Sequence, residues 1–159
     1  MKTANSTDKT KYVLGFMFTE DLATVALIRK KRPAWQEGKL NGIGGHIELG
    51  ETASAAMVRE FKEETGYDTT VGGWERFAQL KGEDFEVDVF WSCGELTQLK
   101  TQTDELIECH QVKLIDPFRR DVVENLCWLI PLAVDSMDDA RPEFTTADYG
   151  TCHSNARKL

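Results

Sequence analysis

Residues 45–67, GHIELGETASAAMVREFKEETGY, constrain this chain more than any other stretch, because a glycine loop runs there directly into a helix with two distinct faces. Thr52 is an N-cap candidate and Gly66 a candidate C′ residue, so the spacing predicts a helix between them. Ala53, Met57 and Phe61 repeat every four residues and are expected to face a core. Glu60, Glu63 and Glu64 stand at i, i+3 and i+4 and leave the helix together as an acidic patch. A solvated face accounts for such a patch too: exposed like charges at this spacing cost only about 0.2–0.5 kcal/mol, and Arg59 sits four residues before Glu63. Half buried, two carboxylates roughly 6 Å apart at an effective dielectric of about 20 repel by nearly 3 kcal/mol. A hard divalent cation, which takes oxygen ligands, would relieve that repulsion. The patch therefore points to chemistry on phosphate groups.

The rest of the segment separates the two readings. It resembles the Nudix box, in which a glycine is followed after five residues by Glu, and after seven more by Arg-Glu-bulky-any-Glu-Glu-any-Gly-bulky. Gly45, Glu51, Arg59, Glu60, Phe61, Glu63, Glu64, Gly66 and Tyr67 fill it, with Tyr67 in place of the family's usual aliphatic residue. Seven of these positions demand one residue type. At about 7% per type a random window matches roughly once in a hundred million, which sets coincidence aside. The resemblance implies the Nudix fold, an α/β/α sandwich with a mixed β-sheet between helices. It also implies a magnesium site, with manganese as a substitute, held by the Gly45 carbonyl, Glu60, Glu63 and Glu64, and an Arg59 that orients glutamate side chains. Glu51 is either a helix N-terminal charge complementing the dipole or an outer ligand.

Outside the box the likeness is to MutT-type nucleoside triphosphate pyrophosphatases and runs from about residue 12 to 134. Residues 39–45, KLNGIGG, resemble the approach to the box in those proteins, and Thr103-Asp104-Glu105 stands thirteen residues before Phe118, as a Ser-Asp-Glu segment does in the family. That match makes Glu105 the expected remote carboxylate beside the metal. It also carries the purine-reading positions onto Asn41, Glu124 and Asn125; Glu124-Asn125 replaces an Asp-Asp pair and leaves the base open. An amide both donates and accepts, which suits a purine edge. Trp35 is expected to cover the core, with stacking on a base as the other reading.

The formal net charge is −8, which argues against general nucleic-acid binding, since that needs a basic face, so no duplex partner is expected. An anionic substrate then depends on the cation and on the basic run Arg29, Lys30, Lys31 and Arg32, with Lys39 before the box. That run is also what a solvated turn after a strand looks like. No stretch approaches 18 apolar residues and the N-terminus has no apolar core, so neither a membrane span nor a secretory leader is expected, and the cytoplasm is the expected location. Cys93, Cys109, Cys127 and Cys152 lack C-x-x-C spacing and are expected as reduced, buried thiols.

One domain is expected over residues 11–135, between a flexible N-terminus (1–10) and a polar, loosely attached C-terminal tail (136–159). Strands are predicted at 12–18 and 24–30, a short extended piece at 40–45, one or two strands within 69–81, and further strands at 85–93 and 108–115. A polar loop is predicted at 99–105 and a second helix at 122–134. The implied activity is hydrolysis of a nucleoside diphosphate linked to another group, foremost a (deoxy)nucleoside triphosphate such as the oxidised purine 8-oxo-dGTP, giving monophosphate and pyrophosphate. Glu60, Glu64 or Glu105 would act as base, in a monomer or a homodimer. The alternatives are an ADP-ribose or dinucleoside polyphosphate pyrophosphatase, and a Nudix module that senses a nucleotide without cleaving it.

Overall fold

Thr10–Phe18 forms β1, in which Leu14, Phe16 and Phe18 alternate with Val13 and Met17, and all five are buried. Both faces of this strand must therefore be covered, as they are in a central strand between two helical layers. The remaining strands are β2 (Thr24–Arg29), β3 (Leu40–Asn41), β4 (Glu75–Lys81), β5 (Phe85–Cys93), β6 (Leu106–Gln111) and β7 (Thr145–Asp148), and the helices are α1 (Ala53–Thr65) and α2 (Leu126–Ser136). The computed structural model describes residues 9–137 and 144–150. The sheet is mixed, in the order β3-β2-β1-β5-β4-β7, with β6 paired to β2. One core packs Leu14, Phe16, Leu27 and Val89 against Leu126, Leu129 and Ile130 of α2, and the other packs Val13, Met17, Ile28 and Phe90 against Ala56, Met57 and Phe61 of α1. This is the expected α/β/α sandwich.

The sheet opens where the site is built. β1 and β2 pair only at Met17↔Ala26 and Phe18↔Val25. Beyond that they part, and residues 40–46 run between them: Asn41 pairs Ile28, Ile43 bridges Gly15 and His46 bridges Tyr12. The wedge delivers the chain to the start of α1. There Thr52 is extended and its hydroxyl accepts the Ala55 N–H at 3.2 Å; Gly66 closes the helix in the left-handed region at φ 69°, its N–H donating to the Lys62 carbonyl. Replacing Thr52 with alanine removes that cap and is expected to cost about 1 kcal/mol, read as a fall of about 2–4 °C in melting temperature.

Several sequence expectations are corrected. Thr145–Asp148, read as part of a loosely attached tail, is a strand parallel to β4, and the Tyr149 N–H continues it with a 2.8 Å bond to the Lys81 carbonyl. Residues 1–8, 138–143 and 151–159, which hold most of the expected flexible N-terminus and the rest of the tail, lie outside the described residues, as does Cys152. The second helix begins at Leu126 rather than 122, because the backbone before it is bonded to the wedge: Leu40 N–H donates to the Asp121 carbonyl and Val123 N–H to the Leu40 carbonyl. β6 starts and ends earlier than expected, and residues 69–81 hold one strand after a 3-10 turn. Trp35 does not cover the core; it is 42% exposed. Cys93, Cys109 and Cys127 are free, but none is buried.

Candidate active site

Arg59 organises the acidic face of α1. Its Nε and Nη2 donate to the two carboxylate oxygens of Glu51, each at 2.9 Å, and its Nη1 donates to Glu60 Oε1 at 2.8 Å and to Glu63 Oε2 at 3.4 Å. Nη2 also reaches the His46 carbonyl at 2.9 Å, which pins the incoming loop to the helix. The Glu51 carboxylate, with Glu60 beyond it, holds this guanidinium well above its ordinary pKa, so its charge is permanent. Glu51 is thereby fixed as the structural partner of Arg59 and accepts the Glu48 N–H as well; its carboxyl lies below the usual range for the same reason.

Gly45 sits directly beneath Glu60. A Cβ at this position would lie 2.5 Å from the Glu60 carboxylate, so only glycine lets loop and carboxylate meet. Its carbonyl accepts the Val13 N–H at 2.9 Å, which leaves one lone pair for anything else. The Gly44 carbonyl accepts no hydrogen bond from the described residues and is the freer oxygen.

Glu64 leaves α1 toward the loop at 99–105. Its Oε2 accepts the Thr103 hydroxyl at 2.8 Å. Burial raises its pKa, the charges of Glu105 and Glu60 push the same way, and the Thr103 hydroxyl and Lys30 oppose them. Glu105 is held very differently. It is 4% exposed, and its carboxylate takes the Lys30 ammonium, the Lys31 N–H at 2.7 Å and the Arg32 N–H at 3.2 Å. Burial alone would raise its pKa, but those three donors together bring it below the usual range.

The family model for the NUDIX domain matches residues 8–128, well over half of the chain. The chain belongs to the Nudix family. Among solved structures, MutT, from work on Aliivibrio salmonicida and Vibrio cholerae, is 20% identical over 80% of this chain and 99% of its own, with a TM-score of 0.67. A NUDIX-family hydrolase from Clostridium perfringens is 17% identical over 82% and 99%, at 0.64. A nudix hydrolase family member from Chromobacterium violaceum is 16% identical over 86% and 83%, at 0.62. At these identities the likeness establishes a shared fold. No curated protein matches. The chain is of the Nudix pyrophosphohydrolase class, a family that acts on small nucleotides with divalent metal cations. Among the described residues no helix is long and apolar enough to cross a membrane.

The Nudix-box carboxylates do not form a closed cage. Among the described residues no three acidic, thiol or imidazole side chains are gathered closely enough to enclose a metal ion. Glu60 and Glu63 turn to Arg59, with Glu63 57% exposed, and Glu64 turns to Thr103. The donor set nonetheless fits a hard divalent cation: every candidate ligand atom is oxygen, and burial, with the charges of Glu105 and Glu60, disfavours the ionised Glu64 carboxylate that a cation would favour. Gly45→Ala tests the close contact in this set. The added methyl displaces the Glu60 carboxylate, and a shift of about 1 Å in a positioned group costs about a hundredfold in rate; kcat on the best nucleotide is expected to fall by that order.

The substrate candidates are scattered. Arg29 bonds Glu108 through Nε and Nη2 and lies 3.7 Å from Asp121. It continues the parity of Val25 and Leu27, so it belongs to the α2 side of the sheet rather than to the glutamates. Lys30 joins Glu105, and no side-chain partner holds Lys39 among the described residues. Asn41 has both amide groups engaged, Nδ2 with Gln36 Oε1 at 3.0 Å and Oδ1 with the Gly42 N–H at 2.8 Å. Glu124 is exposed, and Asn125 is the residue just before α2, with a buried Oδ1 that has no partner among the described residues. Sequence reasoning missed Thr103, whose only signal was its place in the Thr-Asp-Glu segment, and the Gln36 amide that holds Asn41.

Proposed function

We propose that this Nudix protein hydrolyses a (deoxy)nucleoside triphosphate to the monophosphate and pyrophosphate, with Glu60, Glu63 and Glu64 and a wedge carbonyl, Gly45 or the freer Gly44, holding magnesium. The observation that carries the reading is the Arg59 clamp, which lines Glu60 and Glu63 along one helical turn while Glu64 stands against the Thr103–Glu105 loop. Bound there, the cation would neutralise phosphate charge and lower the pKa of water. The chain's own residues do the rest. Arg59 holds the Glu60 carboxylate against the helix and reaches that of the more exposed Glu63. Glu64 Oε2, which accepts the Thr103 hydroxyl, keeps a second lone pair that would face the cation, and Oε1, left open, takes the proton of the attacking water. The water oxygen bonds to phosphorus, the bridging P–O bond breaks, and its electron pair leaves on the pyrophosphate oxygen.

Glu105 is assigned as anchor rather than base, since three donors occupy its carboxylate. Asn41 and Asn125 are the candidates for meeting a base: each Asn41 amide group keeps one position open beyond its bonds to Gln36 and Gly42, and the Asn125 acceptor has no partner among the described residues. The test is release of pyrophosphate or phosphate from a panel of nucleoside triphosphates, 8-oxo-dGTP, ADP-ribose and diadenosine polyphosphates, with and without magnesium. Pyrophosphate from triphosphates is the expected product. Preferential cleavage of ADP-ribose or of the dinucleotides would replace this reading, and binding without cleavage would make the chain a sensing module.

A further inference from the structure

We infer that the Thr103 hydroxyl is a positioning group for the Nudix box, holding the Glu64 carboxylate in place to receive the divalent cation; the inference rests on the reading of Glu64 as a cation ligand. The loop at 99–105 is attached to the C-terminal end of α1 by its backbone. Lys100 N–H donates to the Thr65 carbonyl at 2.9 Å and Gln102 N–H to the Glu64 carbonyl at 3.1 Å. These are two of the carbonyls that a helix end leaves without an internal partner. Glu64 is thus held twice by consecutive loop residues, at its carbonyl by Gln102 and at its side chain by Thr103.

The direction of the hydroxyl is determined by its neighbours. Thr103 Oγ1 accepts the Glu105 N–H at 3.2 Å, and its single proton has two acceptors within reach, Glu64 Oε2 at 2.8 Å and the Glu105 carbonyl at 3.4 Å. The shorter, charged acceptor takes it. A donor into Oγ1 also polarises the O–H outward, which strengthens the bond to Glu64. The β-branched side chain is stiff at χ1, so the hydroxyl stays where the loop puts it. Glu64 is half buried beside two other carboxylates, and Thr103 supplies the one hydrogen bond its side chain receives among the described residues. Without that bond, repulsion turns the carboxylate toward solvent and the cation must first bring it back.

The experiment is titration of the full chain with manganese in the absence of nucleotide, with free ion followed by electron paramagnetic resonance. Wild type, Thr103→Val, Thr103→Ser, Glu64→Gln and the Thr103→Val/Glu64→Gln double variant are compared, with thermal melts alongside and Thr103→Ala as a second variant lacking the hydroxyl. Thr103→Val is expected to weaken manganese binding about tenfold and Thr103→Ser to stay within about twofold of wild type. The valine change is expected to have no further effect once Glu64 is glutamine, because the two act as one unit. Wild-type affinity in Thr103→Val, with Glu64→Gln clearly weakened, overturns the inference. So does a valine penalty of equal size in both backgrounds, which would locate the effect in the Glu105 amide and the loop. Unchanged affinity in Glu64→Gln removes the underlying reading, and the inference with it.

Discussion

Glu64→Gln is expected to lower kcat by about a hundredfold to ten-thousandfold, the range that loss of a positioned proton acceptor covers, with little change in melting temperature. Glutamine keeps the size of the side chain and an oxygen to accept the Thr103 hydroxyl at the position of Oε2. It loses the charge and the ability to take a proton. The sign of the stability effect follows from the raised pKa of Glu64, which burial and the neighbouring Glu105 and Glu60 charges produce. A carboxyl raised in the folded state above its unfolded value favours the neutral form, so above that pKa its charge weakens the fold. Replacing it with a neutral amide is therefore neutral or mildly stabilising. Steady-state kinetics beside calorimetric melting checks both halves. Full activity in Glu64→Gln would move the base elsewhere, and a large loss of stability would show that the residue is structural.

Glu105→Ala is expected to give the opposite pattern, a large loss of stability. Glu105 and Lys30 form a mostly buried pair, their side chains 5% and 18% exposed. Alanine leaves the Lys30 ammonium without its carboxylate and the Lys31 and Arg32 amides without their acceptor. Breaking a buried pair on one side costs about 3–5 kcal/mol, which for a chain of this size lowers the melting temperature by about 10 °C. Glu105→Gln keeps an acceptor for the amides and falls between the two. The pH dependence has a definite direction. Because the folded pKa of Glu105 is depressed, its contribution is complete above the unfolded carboxyl pKa of about 4.3 and is lost as pH falls through the folded value. The gap in melting temperature between wild type and Glu105→Ala is therefore expected to narrow below about pH 4. A gap independent of acidity would mean that the ion pair contributes nothing.

These two glutamates also mark how far the sequence can be read. Both are identified by motif, Glu64 in the box and Glu105 in the Thr-Asp-Glu segment, and the helix carrying the first is legible down to its caps at Thr52 and Gly66. Local rules decide such features, because a cap or a four-residue repeat depends on neighbours along the chain. What each carboxylate does is decided by partners 39 and 75 residues away in sequence, Thr103 for Glu64 and Lys30 for Glu105. No spacing rule reaches that far. The same limit hides β7: Thr-Thr-Ala-Asp has little apolar content and becomes a strand because β4 offers it a parallel edge. It also explains Asn41, whose amide is taken up by Gln36, and Trp35, whose size suggests burial although its 3-10 turn stands out from the sheet.

Every cation of the run at 29–32 already faces a carboxylate: Arg29 with Glu108, Lys30 with Glu105, and Lys31 and Arg32 with Asp104. That run therefore projects little positive field into the surrounding water, and the chain as a whole carries −8. A polyphosphate drifting in from bulk is repelled at long range and welcomed only at contact. Since dissolved ions shorten the reach of that repulsion to about 8 Å at physiological strength, moderate salt is expected to hasten encounter, the reverse of what a positively charged funnel would do.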